Sequence, residues 1–493
     1  MNLILLMFIL LPVAAAILSL IAGSVYKKLP DILSISSIAV LALSAAYLYL
    51  SRPVGSVLLF NLGGVPSPIG INLVLDGLSH MMLLLINGIS FIVLVYSASY
   101  MERYTAKDKF HSLVMLMITG MNGAVLSGDL ISLFLFLELA SVASAALVAF
   151  GTEADETEAS FKYLILGGVA SMFILLAIAM IFGITGSLSL AVANNIPASV
   201  PLAKIFILIL LMAGFGTKAA VAPFHAWLPD AHPSAPAPVS AMLSGVLVKA
   251  LGVYALTRIL YNVIGMSYPI SMALMVLGAL SIITGSFLAP GQWDMKRMMA
   301  CSTVSQIGYI VLGVGLATPM GVMGGLLHLF NHSITKSLLF LTAGSVEYAT
   351  GERDMRKLGG LRDAMPFTAN SSLVGSLAVS GVPPFGSFWS KLFIVIACVQ
   401  AGQLWFAAIA VIGSIITLSY FARLQKLSFF NKPAGDVSGV REVPLAMIVS
   451  MVTLALLCLL SGMFFTHVIT DVINPAVVTI ARGLMYSRST GVF

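Results

Sequence analysis

Gly214-Phe-Gly-Thr-Lys218-Ala-Ala-Val-Ala-Pro223-Phe224 interrupts one apolar run, and Gly381-Val-Pro-Pro-Phe385-Gly-Ser-Phe-Trp-Ser-Lys391 interrupts another. Each joins a Pro-Phe step to glycines and an ionisable lysine. Proline within a helix removes a hydrogen bond and clashes with the preceding turn. Lipid cannot satisfy the backbone groups so freed, so each break needs a wall of protein or a hydrated cavity around it. Paired interruptions five spans apart predict an inverted repeat of five helices, whose second copy starts from the opposite side because five is odd. Two unrelated proline kinks are the alternative.

Composition leaves lipid as the solvent. Of 493 residues 59% are hydrophobic and only 9% charged, with a mean hydropathy of +1.04; a soluble domain carries about a quarter charged residues. Apolar stretches of about 20 residues cross a hydrocarbon core. They fall near 3–22, 31–50, 75–97, 111–128, 130–150, 161–183, 203–228, 236–262, 269–289, 299–316, 320–347, 369–398, 402–425 and 444–465, about fourteen in all. The Gly- and Pro-rich residues 53–74 read as an extracytoplasmic loop or hairpin, and the chain from about 466 as a short amphipathic piece. No positive charge precedes the first apolar run, and Lys27 and Lys28 follow it, so this run reads as a retained helix rather than a signal peptide. The net charge of +6 is spread through short loops without aromatic interleaving, which excludes a nucleic-acid partner. Cys301, Cys398 and Cys458 lie in apolar stretches without CxxC spacing, so no iron–sulfur cluster, thiolate zinc site or other cofactor is expected.

Lys and Arg set the orientation. Lys27, Lys28, Arg103, Lys107, Lys109, Lys162, Lys296, Arg297, Arg353, Arg356, Lys357, Arg362, Arg423, Lys426, Lys432 and Arg441 flank or fill the loops after odd-numbered spans. Outside these loops and the span interiors lie only Arg52, Lys204, Arg258, Arg482 and Arg488. The odd loops are therefore expected in the cytoplasm of a cell-membrane protein, with both termini outside.

An ionisable group in mid-membrane costs at least about 2.5 kcal/mol, so each one asks for a role. Glu138, Lys218, Lys249, Lys336 and Lys391 are the five. Glu138 has no neutralising neighbour at its level of the helix, and Lys218 is its expected partner from the broken seventh span. Desolvation disfavours an ammonium and a nearby carboxylate favours it. Moving the carboxylate away would then release a proton; a static ion pair that fixes helix packing is the competing reading. His328, His332 and Lys336, four residues apart, share one helix face. Imidazoles titrate near neutral pH, so the stripe reads as a proton wire or as a hydrogen-bonded packing stripe. Glutamate is missing between the two histidines, which argues against a zinc site. His80 reads as a satisfied core histidine, and Asp76 and Glu347 as side chains reaching headgroups from span ends. Ser302, Thr303, Ser305 and Gln306 either order water or bond to their own helix. The acidic run Glu153, Asp155, Glu156, Glu158 reads as a solvated loop or a docking face for a partner.

The stretch from Lys218 through Pro223-Phe-His225-Ala-Trp-Leu-Pro-Asp230-Ala-His232 to Ser240-Ala241 resembles the signature of the antiporter-like membrane subunits. That family is shared by respiratory complex I, Mrp-type Na+/H+ antiporters, to whose D-type member the chain is similar, and energy-converting membrane-bound hydrogenases. Asp294 to Tyr309, His328 to Leu341 and Gly381 to Lys391 support the resemblance, which covers roughly 75 to 425. It implies an all-α polytopic membrane protein of about fourteen transmembrane helices with two inverted five-helix repeats and two broken helices. The divisions it implies are 1–110, 111–262, 269–426 and 427–493. It also implies a central line through Glu138, Lys218, Lys249, His328, His332, Lys336 and Lys391, and no redox centre, cofactor or metal in this subunit. Gln306 stands where many relatives have His, and Phe385-Gly-Ser-Phe388 where Phe-Ser-Gly-Phe is common. The expected function is proton translocation within a complex I-like or hydrogenase-like respiratory assembly. A D-type member of an Mrp Na+/H+ antiporter and an inactive membrane scaffold are the alternatives. Expected partners are other membrane subunits, antiporter-like neighbours among them, with H+, and Na+ left open.

Overall fold

The structure, a computed structural model, describes residues 2–23, 26–51, 56–64, 70–190, 200–432 and 439–482. Helices α1 (Asn2–Gly23) and α2 (Leu29–Leu50) lie at the periphery, and strands β1 (Leu58–Asn61) and β2 (Asn72–Leu75) pair antiparallel with Leu58 opposite Leu75. The expected hairpin is therefore present at its base, while residues 65–69 lie outside the described residues. The chain passes from β2 into α3 (Gly77–Tyr100), followed by α4 (Lys107–Leu126), α5 (Leu130–Val148) and α6 (Ala154–Thr185). Asp76 caps α3 by accepting from Leu78 and Ser79 N–H while the Ser79 hydroxyl accepts from Asp76 N–H, a reciprocal box that satisfies buried first-turn donors.

The seventh span is shorter than the expected 203–228. Helix α7 (Pro201–Lys218) stops at the lysine, residues 219–227 turn, and a short α8 (Leu228–Ser234) follows. The turn is closed locally: Val221 N–H donates to Gly216 O and Phe224 N–H to Val221 O. The next span, α9 (Ala237–Ile264), is helical throughout but winds into wide π turns at Leu243–Leu247, Lys249–Tyr254 and Leu260–Ile264. Then come α10 (Tyr268–Leu288), α11 (Met295–Gly315) and the long α12 (Pro319–Thr350). The second break separates α13 (Pro366–Ser380) from α14 (Gly386–Gln400), with Gly381 at φ +83°, a left-handed conformation suited to glycine. Helices α15 (Leu404–Gln425), α16 (Leu445–Met463) and α17 (Asn474–Arg482) complete the chain. Ala476 and Ile480 of α17 are buried, as an amphipathic tail requires.

Among the described residues, twelve helices are long and apolar enough to cross a membrane. The polar-striped α12 and the broken α13–α14 pair occupy the places of the expected eleventh and twelfth spans without meeting that measure. The core centres on α9 and α11, whose apolar windows are wholly buried, while α1, α2, α6 and α15 present apolar faces outward. That inside-out distribution follows from lipid replacing water as the surface solvent.

Candidate functional site

Lys218 is the last residue of α7 and is 4% exposed. Its ammonium lies 3.2 Å from Glu138 Oε1 and donates to Ser141 Oγ at 2.8 Å. The Ser171 hydroxyl of α6 also donates to Glu138 Oε1. The predicted carboxylate–lysine pair is thus in contact, and two serines that sequence reasoning passed over complete it. Trp227 braces the pair from the turn. Its indole N–H donates to Thr217 O at 2.9 Å and its ring stacks on Tyr163 at 4.2 Å, whose hydroxyl meets Ser144 Oγ at 2.8 Å. Glu138 itself is 29% exposed on a face of α5 that also shows Leu135 and Val142 to the outside.

Lys249 sits in the second π turn of α9, fully buried, and donates to Ser244 O. A π turn widens the helix by one residue and re-aims the side chains that follow, a feature common at functional sites. From Ser244 a hydrogen-bonded series leads on: Ser244 Oγ meets Thr303 Oγ1 at 2.8 Å, Thr303 donates to Met299 O at 3.0 Å, and Lys336 Nζ donates to the same carbonyl at 2.9 Å. Two buried amines therefore flank one polar strip, Lys249 at the Ser244 carbonyl and Lys336 at the Met299 carbonyl, with the Ser244 and Thr303 hydroxyls in contact between them. Thr303 bonds to its own helix, as one of the two readings expects, and also directly to Ser244 across the helix interface. Gln306 instead reaches Thr417 at 3.5 Å.

Beyond Lys336 the imidazoles of His332 and His328 stack with centroids 5.9 Å apart. His328 Nδ1 lies 2.9 Å from Ser390 Oγ, and the ring contacts Tyr309 at 5.5 Å. Both ring nitrogens of His332 and Nε2 of His328 have no protein hydrogen-bond partner among the described residues. Lys391, 4.9 Å over the Tyr309 ring, ends the line. Its ammonium donates to Val379 O at 2.9 Å and Ser380 O at 3.4 Å, the last carbonyls of α13, where the helix dipole favours a cation. The two broken helices thus use their lysines differently: Lys218 precedes its break, whereas Lys391 follows its break and reaches back to the first half.

Of the seven residues picked from sequence, Glu138 and Lys218 are in contact, Lys249 and Lys336 flank the Ser244–Thr303 hydroxyls, His332 and His328 stack, and Lys391 lies over Tyr309, which also contacts His328. One further histidine was missed. His232 of α8 is fully buried, stacks on Phe340 at 4.5 Å and has no hydrogen-bond partner at either nitrogen among the described residues.

Three minor readings need correction. Asp76 does not reach headgroups: it is 2% exposed and bonds Arg258 through both oxygens at 2.8 Å. Glu347 likewise turns inward, to Lys296 at 2.7 Å and Arg353 at 3.6 Å. The acidic run is largely solvent-exposed, as expected, but it opens α6, where Glu153 and Glu156 form the cap, rather than a loop, and with Asp230, Asp294 and Glu347 it lines a cavity of about 610 Å³. His80 is satisfied, its Nε2 lying 3.0 Å from Ala45 O.

Residues 127–417 match the profile of the family described as "NADH:quinone oxidoreductase/Mrp antiporter, TM", and residues 62–111 that of "NADH-Ubiquinone oxidoreductase (complex I), chain 5 N-terminus". The chain belongs to this antiporter-like family. It is 35% identical to NADH-quinone oxidoreductase subunit N of Desulforudis audaxviator over 90% of this chain and 91% of that protein. Identity to the D-type member of the Na(+)/H(+) antiporter of Alkalihalophilus pseudofirmus is 29%, over 81% and 82% of the two chains. Hydrogenase-4 component B of Escherichia coli is longer: the match is 31% identical over 83% of this chain but 66% of that one. Among solved structures, a chain of the membrane-bound sulfane sulfur reductase (MBS), an archaeal respiratory membrane complex, superposes with a TM-score of 0.91 at 30% identity over 99% and 100% of the chains. A chain of the Mrp complex from Dietzia sp. DQ12-45-1b does so at 0.90 and 26%, over 99% of each. This antiporter-like membrane subunit therefore shares its fold from end to end with members of both kinds of assembly.

Proposed function

We propose that this chain translocates protons within a multi-subunit membrane complex, along Glu138, Lys218, Lys249, Lys336, His332, His328 and Lys391. The observation that carries this reading is that Lys249 and Lys336, both fully buried, face one polar strip made by the Ser244 and Met299 carbonyls and the Ser244 and Thr303 hydroxyls. Two fully buried amines without a carboxylate partner among the described residues make poor packing devices, because a lone buried charge is disfavoured by several kcal/mol. They suit groups that gain and lose protons in turn. Lys218, by contrast, keeps a carboxylate beside it, and Glu138 stands at the edge of the molecule. Withdrawal of Glu138 toward a neighbouring subunit removes the charge that favours the Lys218 ammonium, and its proton moves inward to Lys249. The unpartnered imidazole nitrogens of His332 and His328 are acceptors and donors for the water that carries the last step. The acidic cavity beside Lys296 and Glu347 supplies access from the basic-loop side, taken as the cytoplasm of a cell-membrane protein with both termini outside.

The assembly is read as respiratory, complex I-like or hydrogenase-like, with electron transfer in other subunits driving the protons and an antiporter-like neighbour covering Glu138. No cofactor is assigned to this chain. The end-to-end likeness to the Mrp complex favours a second reading, a component of an antiporter powered by ion gradients with Na+ as the counter-ion. Lys218→Ala in the purified assembly, reconstituted in vesicles, should abolish proton movement while the assembly remains intact; unchanged translocation would refute the line. Co-purification of an iron–sulfur or nickel–iron subunit decides for the respiratory reading, and of small membrane subunits alone for the antiporter.

A further inference from the structure

A groove of about 270 Å³ opens between α13 and α15 on the outer face of the bundle. Leu373 and Leu377 form one wall; Leu418, Phe421 and Ala422 form the other, and Phe430 stands at its mouth. Ala422 makes the groove deep, because the residues one turn to either side, Leu418 and Lys426, are long. The mouth is basic. Lys426 lines it, and the Arg362 guanidinium lies 5.0 Å over the Phe430 ring. Several basic side chains of the other loops, Lys162, Lys296, Arg297, Arg353, Arg356 and Lys357, each have a carboxylate within 4 Å. For Arg362 and Lys426 no such partner exists among the described residues. Gln425, 5% exposed, lines the groove just inside the mouth. Its amide nitrogen donates to Ser372 and Ser376 at 2.8 Å each, while its buried oxygen has no protein partner among the described residues. Turning the amide over leaves the nitrogen unmatched instead.

We propose that this groove binds an anionic phospholipid. An acyl chain enters the apolar slot, and the phosphate meets Lys426 and Arg362. Charge complementarity selects this occupant over a zwitterionic lipid, since unpaired basic side chains at a membrane surface attract anionic headgroups. The lipid would lie close to the buried line: the Lys336 ammonium is 5.6 Å from the ring centroid of Phe421, which lines the groove. The proposal concerns binding alone and is independent of whether Lys336 carries protons.

The test uses the intact purified complex and phosphatidylglycerol bearing a photoreactive group in its acyl chain, with a phosphatidylcholine analogue for comparison. Labelling should map to peptides containing Leu373 to Leu377 and Leu418 to Ala422, and should be strong only with the anionic lipid. At subsaturating lipid, Lys426→Gln or Arg362→Gln should lower labelling about fivefold, and both together about thirtyfold. Ala422→Trp should fill the slot and abolish labelling. Equal labelling by the two lipids in the unaltered complex, which needs no variant, would overturn the proposal. So would labelling that persists in both the double variant and Ala422→Trp, or cross-linking of a cysteine placed at 422 to a neighbouring subunit rather than to lipid.

Discussion

Gly252 carries no charge, touches no proposed proton carrier, and is still expected to be indispensable. It lies in the π turn that holds Lys249, directly against the residue that follows Lys218. A Cβ built on Gly252 would stand 2.4 Å from both N and Cα of Ala219 and 2.5 Å from its Cβ. Those are backbone atoms at the break and cannot swing aside, so Gly252→Ala must push α9 and the seventh-span turn apart by about 1 Å to reach ordinary contact. Overpacking of this kind costs about 1–3 kcal/mol, small enough for a large membrane protein to assemble. The functional effect should be greater, because a misplacement of about 1 Å at a reacting geometry costs about a hundredfold. Here it lengthens the step from Lys218 to Lys249 without removing either group. The assay is proton uptake into vesicles containing the reconstituted complex, with subunit content checked on a native gel. Gly168→Ala is the control, since a Cβ on Gly168 meets nothing within 4 Å although the residue lies on α6 near the Glu138 pair. The expected result is a loss of about two orders of magnitude for Gly252→Ala, with near-normal rates for Gly168→Ala. A fully assembled Gly252→Ala complex that pumps at the unaltered rate would show that the contact between the two lysine-bearing elements does not set the rate.

Glu138→Gln should keep the hydrogen bond from Ser171 and remove the charge beside Lys218; translocation should fall as in Lys218→Ala, and an unaltered pH profile would rule out the pair as the coupling element. Asp76→Ala should destabilise the subunit by about 3–5 kcal/mol, because it removes the carboxylate that balances the buried Arg258 charge, whereas Asp76→Ala with Arg258→Met should recover much of the loss; thermal denaturation of the purified complex followed by subunit release reads this out. In the loop after α12, hydrogen bonds from Arg356 hold the Asp354 carboxyl down to about 2, below its ordinary 3.8. A lowered carboxylate stabilises above its unfolded value and stops doing so as pH falls through the folded one. Amide protection across 353–357, the intrinsic exchange rate at each pH divided by the observed one, should therefore be steady above pH 4 and fall between about pH 4 and 2, and Arg356→Ala should lower protection above pH 4 and flatten that pH dependence.

Much of this protein is legible in its sequence because lipid is an unforgiving solvent. Twenty apolar residues in a row admit few structures, so the spans are readable to within a few residues. Where 203–228 failed, the cause is local: the backbone turns at once after Lys218, and the apolar residues 219–222 that extend the hydropathy signal are buried in the turn rather than in a helix. The candidate line is equally legible, since an ionisable residue in such a run stands out, and the i, i+4 spacing of His328, His332 and Lys336 puts them on one face of α12.

The tertiary structure decided what these residues touch. Ser141, Ser171, Thr303 and Ser390 are ordinary small polar residues in sequence and become part of the site only because α5, α6, α11 and α14 bring them to an amine or an imidazole. Asp76 and Arg258 are 182 residues apart, and nothing short of the fold could pair them. The π turns of α9 show the same limit, since hydrogen bonds that slip by one residue leave no mark in composition. The two broken spans follow from residue chemistry, because Pro223 and Pro383-Pro384 remove helix hydrogen bonds beside glycines that turn freely. Which side of each break holds its lysine, and whether that lysine meets a carboxylate or the carbonyl end of a half-helix, follows from packing between distant segments, where local preference has no say.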